Sequence, residues 1–215
     1  MIDQFINMFR DLKGTVESWS GEPWFAWVLF AIIFVETGLV ILPFLPGDSL
    51  LFVVGAIVAG GKSRVSLPEL LVVMSVAAIL GDALNYAIGK WLGPAVFRSE
   101  TSRLLNRNHL FKAQAFYEKY GAKTIVIARF VPIIRTFAPF VAGIGRMSYP
   151  RFAFFNVVGG VGWVVSLTMA GVWFGNIGWV EKHFEAVVLM IVVISIVPLA
   201  IEYLKARYAS RADRA

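Results

Sequence analysis

Two acidic side chains stand inside one long apolar stretch, FVETGLVILPFLPGDSLLF, which covers residues 34 to 52. A carboxylate in hydrocarbon is costly unless it takes up a proton or lies beside a cation. Glu36 and Asp48 are therefore predicted to be proton-coupling groups. Asp48 also follows a Pro-Gly pair and precedes an apolar run, so capping of the following helix is an alternative role for it. Glu36 has no capping position available.

Two arginines stand in a second apolar stretch, TIVIARFVPIIRTFAPFVAGIGRM, which covers residues 124 to 147. A guanidinium group stays charged when it is buried, and it can hold a phosphate through two parallel hydrogen bonds. Arg129 and Arg135 are therefore predicted to bind an anionic phosphate group of a substrate. Their alternative role is structural, as ion-pair partners of the two acids. Both roles can hold in turn if acid and substrate compete for the arginines.

A third polar group lies in the stretch GDALNYAIGKWLG. Asp82, Asn85 and Tyr86 stand at positions i, i+3 and i+4, which places them on one face of a helix. This face is expected to point into a helix bundle. There the three side chains would support the site or simply join helices by hydrogen bonds.

The composition places these residues in a membrane protein. Of 215 residues, 58% are hydrophobic and 16% are charged, and the mean hydropathy is +0.72, whereas soluble domains are nearer half apolar and a quarter charged. With no cysteine and two histidines, thiolate metal sites are excluded and a histidine-based metal or catalytic site is not expected. We expect no cofactor and no metal. Cytoplasmic loops explain the net charge of +6 better than nucleic-acid binding does.

Both charged stretches are interrupted by helix-breaking residues. Residues 24 to 60, broken at Pro46-Gly47, give pieces of about 22 and 13 residues, while a helix needs about 20 residues to cross the hydrocarbon core. The second piece is therefore expected to turn back in a re-entrant hairpin. Residues 124 to 147 are expected to form a second hairpin. The predicted breaks are Pro43, Pro46, Gly47, Pro132 and Pro139.

The other elements complete an all-α polytopic fold with about three full transmembrane helices. The predicted spans are residues 67–92, 152–175 and 186–204. Apolar residues at steps of three and four near the start predict an amphipathic helix at the membrane interface or against the bundle. The expected divisions are that helix (1–22), a transport core (23–178), a last transmembrane helix (179–204) and a basic tail (205–215).

Basic loops set the expected orientation. The segment 93–123 and the C-terminal tail are rich in Lys and Arg, so both are expected in the cytoplasm. The first hairpin then enters from the outer face and the second from the cytoplasmic face. PFLPGDSLLFVVG and PIIRTFAPFVAG each start with proline, break soon after, and run on to a small residue. Two such segments from opposite faces are typical of inverted-repeat transporters with a site near the midplane.

At these residues the sequence resembles the DedA family of membrane proteins, whose core is also called the SNARE-associated or VTT domain. The resemblance covers residues 25 to 175 approximately. The run from Glu36 to Asp48 is similar to the family's first hairpin, and Gly81-Asp82 with Tyr86 is similar to its middle helix. The strongest part is similar to the motif Gly-Arg-Phe-x-Pro-x-x-Arg-Thr, with Ala128 where glycine is usual. The matching residues are Arg129, Phe130, Pro132, Arg135, Thr136, Ala142, Gly143 and Met147.

The resemblance implies two facing re-entrant hairpins and transport driven by the proton-motive force across the cell (inner) membrane. Members of the family act as translocases or scramblases of phospholipids, or of the polyprenyl phosphate carrier used in cell-envelope synthesis. The resemblance also implies that acids of the first hairpin and arginines of the second are functional. It assigns these roles to Glu36, Asp48, Arg129 and Arg135. Asp82, Asn85, Tyr86 and Thr136 are predicted to support them.

The expected function is therefore a proton-coupled flippase of an anionic lipid phosphate. The alternative is a proton-coupled antiporter of small cations or cationic drugs, in which the acids bind the substrate. An enzyme such as a lipid phosphatase is not expected, because phosphate chemistry usually needs His, Cys or a metal cluster, and His109 and His183 lie outside the apolar stretches. The expected partners are a membrane lipid and protons, without nucleic acid, and a homo-oligomer is left open.

Overall fold

The computed structural model describes residues 12–39, 47–61, 63–96, 121–175 and 177–183, together with residues 186, 187 and 190. All regular structure in these ranges is helical. The helices of the described residues are α1 (Leu12–Ser20), α2 (Phe25–Gly38), α3 (Gly47–Ala59), α4 (Leu67–Val96), α5 (Thr124–Ala128), α6 (Pro132–Ile144), α7 (Tyr149–Phe174) and α8 (Gly178–Lys182).

Helices α4 and α7 are long and apolar enough to cross a membrane. Their candidate spans, Leu67–Leu92 and Tyr149–Phe174, have 26 residues each and confirm the spans predicted at these positions. Outward-facing side chains on α4 repeat every four residues and form one apolar stripe: Val72, Val76, Leu80 and Leu84. An apolar exterior around buried charges suits a protein whose solvent is lipid. The third predicted span, at 186–204, lies almost wholly outside the described residues.

Helices α2 and α3 are too short to cross alone. They have 14 and 13 residues, so each covers about 20 Å of a hydrocarbon core that is about 30 Å thick. Helix α2 ends at Gly38, earlier than the expected piece of about 22 residues, and Leu39 is already extended. Gly47 begins α3, as a break at Pro46-Gly47 predicts. The predicted breaks Pro43 and Pro46 lie outside the described residues, as does the basic segment 97–120.

The second charged stretch is interrupted between α5 and α6. Val131 is extended, with φ −113° and ψ 106°, and Pro132 is the first residue of α6, a position at which the missing N–H of proline costs nothing. Pro139, by contrast, lies inside α6, so the predicted break there is wrong. A proline inside a helix removes one backbone hydrogen bond, and the packing of α6 along α4 keeps the helix continuous.

The described core consists of two halves with the same order of elements, α2–α3–α4 and α5–α6–α7. Each half has two shorter helices followed by a long one. Helix α2 packs on α4 as α5 packs on α7, and α3 packs on α7 as α6 packs on α4. If the two halves exchange places, each of these helix–helix contacts takes the place of the matching contact of the other half. The two halves therefore pack in an equivalent way.

Glycines show the same relation residue by residue, first where α3 crosses α7. A Cβ atom on Gly55 would collide with the Thr168 carbonyl oxygen, and one on Gly171 would collide with the Phe52 carbonyl oxygen. The two backbones therefore touch, and only glycine allows this approach.

The crossing of α6 with α4 repeats this arrangement. A Cβ atom on Gly143 would meet the Tyr86 carbonyl oxygen, and one on Gly89 would meet the Phe140 carbonyl oxygen.

Two closely packed bundles result. We call them the α4 bundle (α2, α4 and α6) and the α7 bundle (α3, α5 and α7). Each bundle contains one helix from each interrupted stretch.

The described part of the N-terminal helix packs on the protein. Helix α1 contacts α3, Val16 is fully buried, and Trp19 packs against the main apolar core. Residues 12–20 therefore pack against the bundle, which is one of the two positions expected for this helix.

Candidate functional site

Arg135 lies in the first turn of α6 and is held by two carboxylates. Its Nη1 donates to Asp48 Oδ1 at 2.5 Å, and its Nη2 donates to Glu36 Oε1. The Glu36 side chain is 2% exposed, whereas those of Arg135 and Asp48 are 11% and 15% exposed. Arg135, which belongs to the second interrupted stretch, thus links α2 and α3, the two helices of the first stretch.

Glu36 also binds the start of α3. The Gly47 backbone N–H donates to Glu36 Oε1 at 3.2 Å, and a Cβ atom on Gly47 would collide with the Glu36 carboxylate. The first N–H groups of a helix lack helical partners and favour a negative charge. Glu36 therefore does satisfy a helix N-terminus, contrary to the sequence-based expectation, because it reaches that terminus from another helix. Asp48 is the second residue of α3, so it lies inside the first turn, where a negative charge is favourable, and past the N-cap position that its alternative role predicted.

Trp163, on α7, completes the surroundings of Arg135. Its indole Nε1–H donates to Asp48 Oδ1 at 2.9 Å. The Arg135 guanidinium carbon lies 4.7 Å from the centroid of the Trp163 ring, well within the range of a cation–π interaction. The Arg129 guanidinium carbon lies 6.0 Å from the same ring. Trp163 is 1% exposed and stands between the two arginines.

Arg129 is held by different partners. It follows α5, and its Nη2 donates to the Asp82 carboxylate, to Asn156 Oδ1 at 2.7 Å and to the Ala78 carbonyl oxygen at 3.4 Å. Arg129 and Asp82 are each 4% exposed. Asn156 in turn donates to the Ile79 carbonyl oxygen at 3.0 Å. These bonds tie α7 and the end of α5 to the middle of α4.

Glycines on α7 make room for the Arg129 side chain. A Cβ atom on Gly160 would lie 3.4 Å from the guanidinium carbon, and one on Gly159 would lie 3.4 Å from Cδ. These two glycines on α7 therefore accommodate a buried charged side chain.

Two of the predicted supporting residues join helices. Asn85 donates to the Thr37 carbonyl oxygen at 3.2 Å and to the Thr136 carbonyl oxygen at 2.7 Å, so it connects α2, α4 and α6. Tyr86 donates to the Met147 carbonyl oxygen after α6. Asn85 and Tyr86 thus act as the interhelical hydrogen-bonding residues that the sequence offered as one alternative, whereas Asp82 pairs with Arg129.

A small polar cavity lies between the two arginine centres. It is lined by Thr37, Asp82, Arg129, Arg135 and Thr136. Among the described residues, four buried side-chain polar atoms lack a hydrogen-bond partner: Glu36 Oε2, Asn85 Oδ1, Arg129 Nε and Thr168 Oγ1. Of these four residues, Arg129 lines the cavity, so its Nε is a donor that can still bind a polar ligand there.

The structure divides the predicted functional residues into two centres. Glu36 and Asp48 surround Arg135, while Arg129 pairs with Asp82. Sequence reasoning missed Trp163, Asn156 and Thr37. Asn156 could have been found, because it is an amide inside a predicted span. Trp163 gave no signal, since a tryptophan in a membrane helix is ordinary. Within the described part of the chain, no group of three His, Asp or Glu side chains could hold a metal ion.

Comparison with known proteins gives consistent matches. A family model for the VTT domain matches residues 45–173. Protein DedA of Escherichia coli K12 is 49% identical over 192 residues, which are 89% of this chain and 88% of that protein. An uncharacterized membrane protein of Mycobacterium tuberculosis H37Rv is 41% identical over 85% of this chain and 80% of its own length. Inner membrane protein YqjA of E. coli K12 is 34% identical over 80% and 77%. No solved structure matches significantly.

Proposed function

The chain belongs to the DedA family of VTT-domain membrane proteins, and we propose that it is a proton-coupled translocase of an anionic lipid phosphate. The substrate class is a phospholipid or a polyprenyl phosphate carrier, and the cellular role is maintenance of the cell envelope. The observation that carries the proposal is the position of Arg135, whose guanidinium is bound by two carboxylates from the two arms of one interrupted stretch.

A guanidinium that binds two carboxylates can bind a phosphate with the same donors. Protonation of Glu36 and Asp48 weakens both ion pairs and frees Arg135 for a phosphate. Return of the protons to water restores the carboxylates, which then displace the phosphate. Proton and lipid movements are coupled because they compete for one cation.

The charge balance of the buried cluster supports this exchange. Within the part of the chain that the structure describes, three acids (Glu36, Asp48 and Asp82) face two arginines that stay charged. The cluster thus has one more acid than base, and a proton neutralises the excess at a lower cost than burial of an extra charge.

The packing supplies a means of movement. Arg135 belongs to the α4 bundle, and Asp48 belongs to the α7 bundle, so their ion pair crosses between the bundles. The pair of Arg129 with Asp82 crosses between them as well. We propose that the two interrupted stretches are re-entrant hairpins and that the bundles shift relative to each other during transport, as in transporters built from repeats.

A second candidate function is antiport of small cations. The excess acid favours it, because Glu36 and Asp48 could bind a cation once Arg135 moves away. In that mechanism the arginine tunes the acids and never contacts the substrate. A lipid phosphate would then have no effect on the protein.

Purified protein in phosphatidylcholine liposomes tests the two functions. A trace of phosphatidic acid with a fluorescent acyl chain is placed in both leaflets, and external dithionite bleaches the outer one. We expect the wild-type protein to accelerate loss of the inner pool when a pH gradient is applied, and Arg135→Lys to abolish this effect. Arg151→Lys, an exposed arginine on α7, is the matched control and should be as active as wild type. Lipid movement that is independent of Arg135, or cation flux without lipid movement, would reject the proposal.

Single cysteines test the hairpin topology, since the chain has none of its own. A cysteine at Ser63 should react with an impermeant external thiol reagent. A cysteine at Ser148, which follows α6, should be protected if the second stretch returns to the cytoplasmic side. External labelling at Ser148 would show instead that the second stretch crosses the membrane.

A further inference from the structure

Two hydrogen-bond donors converge on one oxygen atom of Asp48. Arg135 Nη1 donates to Oδ1 at 2.5 Å, and Trp163 Nε1 donates to the same oxygen at 2.9 Å. The donors come from different helices, α6 and α7, and Trp163 is 1% exposed. A cationic and a neutral donor aimed at one oxygen form a small anion-binding cradle, which the Asp48 carboxylate occupies in this structure.

We propose that Trp163 is a substrate-binding residue and that its indole N–H donates to a phosphate oxygen of the lipid. This inference rests on the proposed function, in which a phosphate displaces the carboxylates from Arg135. A phosphate oxygen that replaces Asp48 Oδ1 meets the Arg135 and Trp163 donors together.

The Trp163 ring has a second effect on the same cation. It lies 4.7 Å from the Arg135 guanidinium carbon, so its π face stabilises the guanidinium without using any N–H donor. Arg135 can therefore leave one anion and bind another while its position on the ring is kept. An aliphatic side chain at this position would fill the space but would supply neither the donor nor the aromatic face.

The arrangement also predicts selectivity for a lipid phosphate over a neutral lipid. A carboxylate has two oxygens, and Arg135 and Trp163 already use one of them. A phosphate monoester has three terminal oxygens, so one can occupy the cradle while another faces the cavity beside Arg129 and Thr136. A neutral lipid has no group for this site.

Ligand-induced thermal stabilisation of the full-length protein in detergent tests the inference. The ligands are dihexanoyl phosphatidic acid, inorganic phosphate and dihexanoylglycerol. Trp163→Phe removes the N–H but keeps an aromatic face, and we expect it to bind phosphatidic acid about tenfold more weakly than wild type, because a hydrogen bond to a charged group is lost. Trp163→Leu, which also loses the ring, should be weaker still. Trp173→Phe, at an exposed tryptophan on the same helix, should bind like wild type.

A double-mutant cycle separates a binding role from a structural one. Because both donors share one oxygen, Trp163→Phe should have little further effect on binding in an Arg135→Lys background. The same loss factor in both backgrounds, or wild-type affinity in Trp163→Phe, would overturn the inference. Wild-type protein that binds no phosphatidic acid would reject the proposed function as well, whereas binding that depends on Arg135 and not on Trp163 would reject only the inference.

The ligands also identify the source of the phosphate. Equal binding of inorganic phosphate and phosphatidic acid would indicate a site for free phosphate, and binding of dihexanoylglycerol would contradict an anion site. If Trp163→Phe does not fold, the indole N–H resonance of wild-type Trp163, assigned by substitution of the other tryptophans, replaces it. That resonance should shift with phosphatidic acid, and an unchanged resonance at saturation would contradict the inference.

Discussion

The two buried arginines lie beside one cavity, yet their surroundings differ. Arg129 has a single carboxylate partner and two neutral oxygens, from Asn156 and Ala78. Arg135 has two carboxylate partners and an aromatic ring, and its side chain is more exposed. Arg129 is thus fixed among groups that mostly cannot change charge. Arg135 is surrounded by groups that can.

Because of this difference, we expect one arginine centre to contribute mainly to the stability of the protein and the other mainly to its function. A buried ion pair with additional hydrogen bonds resists removal of either member, because the partner is left as an unpaired buried charge. An arginine between two acids can be released by protons. We therefore propose that the Arg129 centre is the lasting contact about which the two bundles shift, and that the Arg135 centre exchanges proton and phosphate.

The largest effect on stability is expected from Asp82→Ala. It leaves the Arg129 charge buried at 4% exposure without its carboxylate, which costs about 3–5 kcal/mol. Thermal unfolding in detergent should show a large drop in melting temperature. The double variant Asp82→Ala with Arg129→Leu should recover much of the loss, and the absence of any recovery would contradict the pairing.

A smaller loss is expected from Asn156→Ala. This change removes the acceptor for Arg129 and the donor to the Ile79 carbonyl oxygen, at a cost of about 1–3 kcal/mol. Ser166→Ala, which removes a hydroxyl that donates to the Trp163 carbonyl oxygen of the same helix, is the control on α7. Equal melting temperatures for the two variants would show that Asn156 does not stabilise the Arg129 centre.

The smallest change in stability is expected from Glu36→Gln. Glutamine keeps an oxygen for Arg135 and for the Gly47 N–H but cannot change charge. Transport by wild type should rise as the pH falls, because protons release Arg135, and transport by Glu36→Gln should lose this dependence. The pH profile in liposomes is the measurement. A wild-type profile in Glu36→Gln would assign the coupling to another acid.

The sequence identifies a site residue when that residue is energetically unfavourable in the stretch where it stands. Charges in apolar stretches are expensive, so Glu36, Asp48, Arg129 and Arg135 could be found without a structure. The two long spans and the interruption before Pro132 also follow from length and proline chemistry. Pro139 was mistaken for a break, because the sequence does not show that packing on α4 keeps α6 continuous.

The pairing of the charges could not be predicted, because it depends on how helices cross. Helix positions alone allow either arginine to meet any of the three acids. The glycine crossings at Gly55 and Gly143 fix which helix faces meet inside each bundle, and the packing of one bundle on the other brings Trp163 to Arg135 and Asp82 to Arg129. Neutral partners such as Trp163 are not energetically unfavourable in a membrane helix. The sequence therefore does not distinguish them, and only the folded structure identifies them.

The central claim is that Arg135 exchanges its partners and Arg129 does not, and a comparison of Arg135→Lys with Arg129→Lys tests it most directly. Lysine keeps the charge and loses the planar fork in both. Transport of fluorescent phosphatidic acid, normalised to folded protein, is measured beside the melting temperature. We expect Arg135→Lys to unfold near the wild-type temperature and to lose transport, and Arg129→Lys to unfold at a lower temperature and to keep most of its transport. The opposite result, with transport lost in Arg129→Lys and retained in Arg135→Lys, would contradict the account.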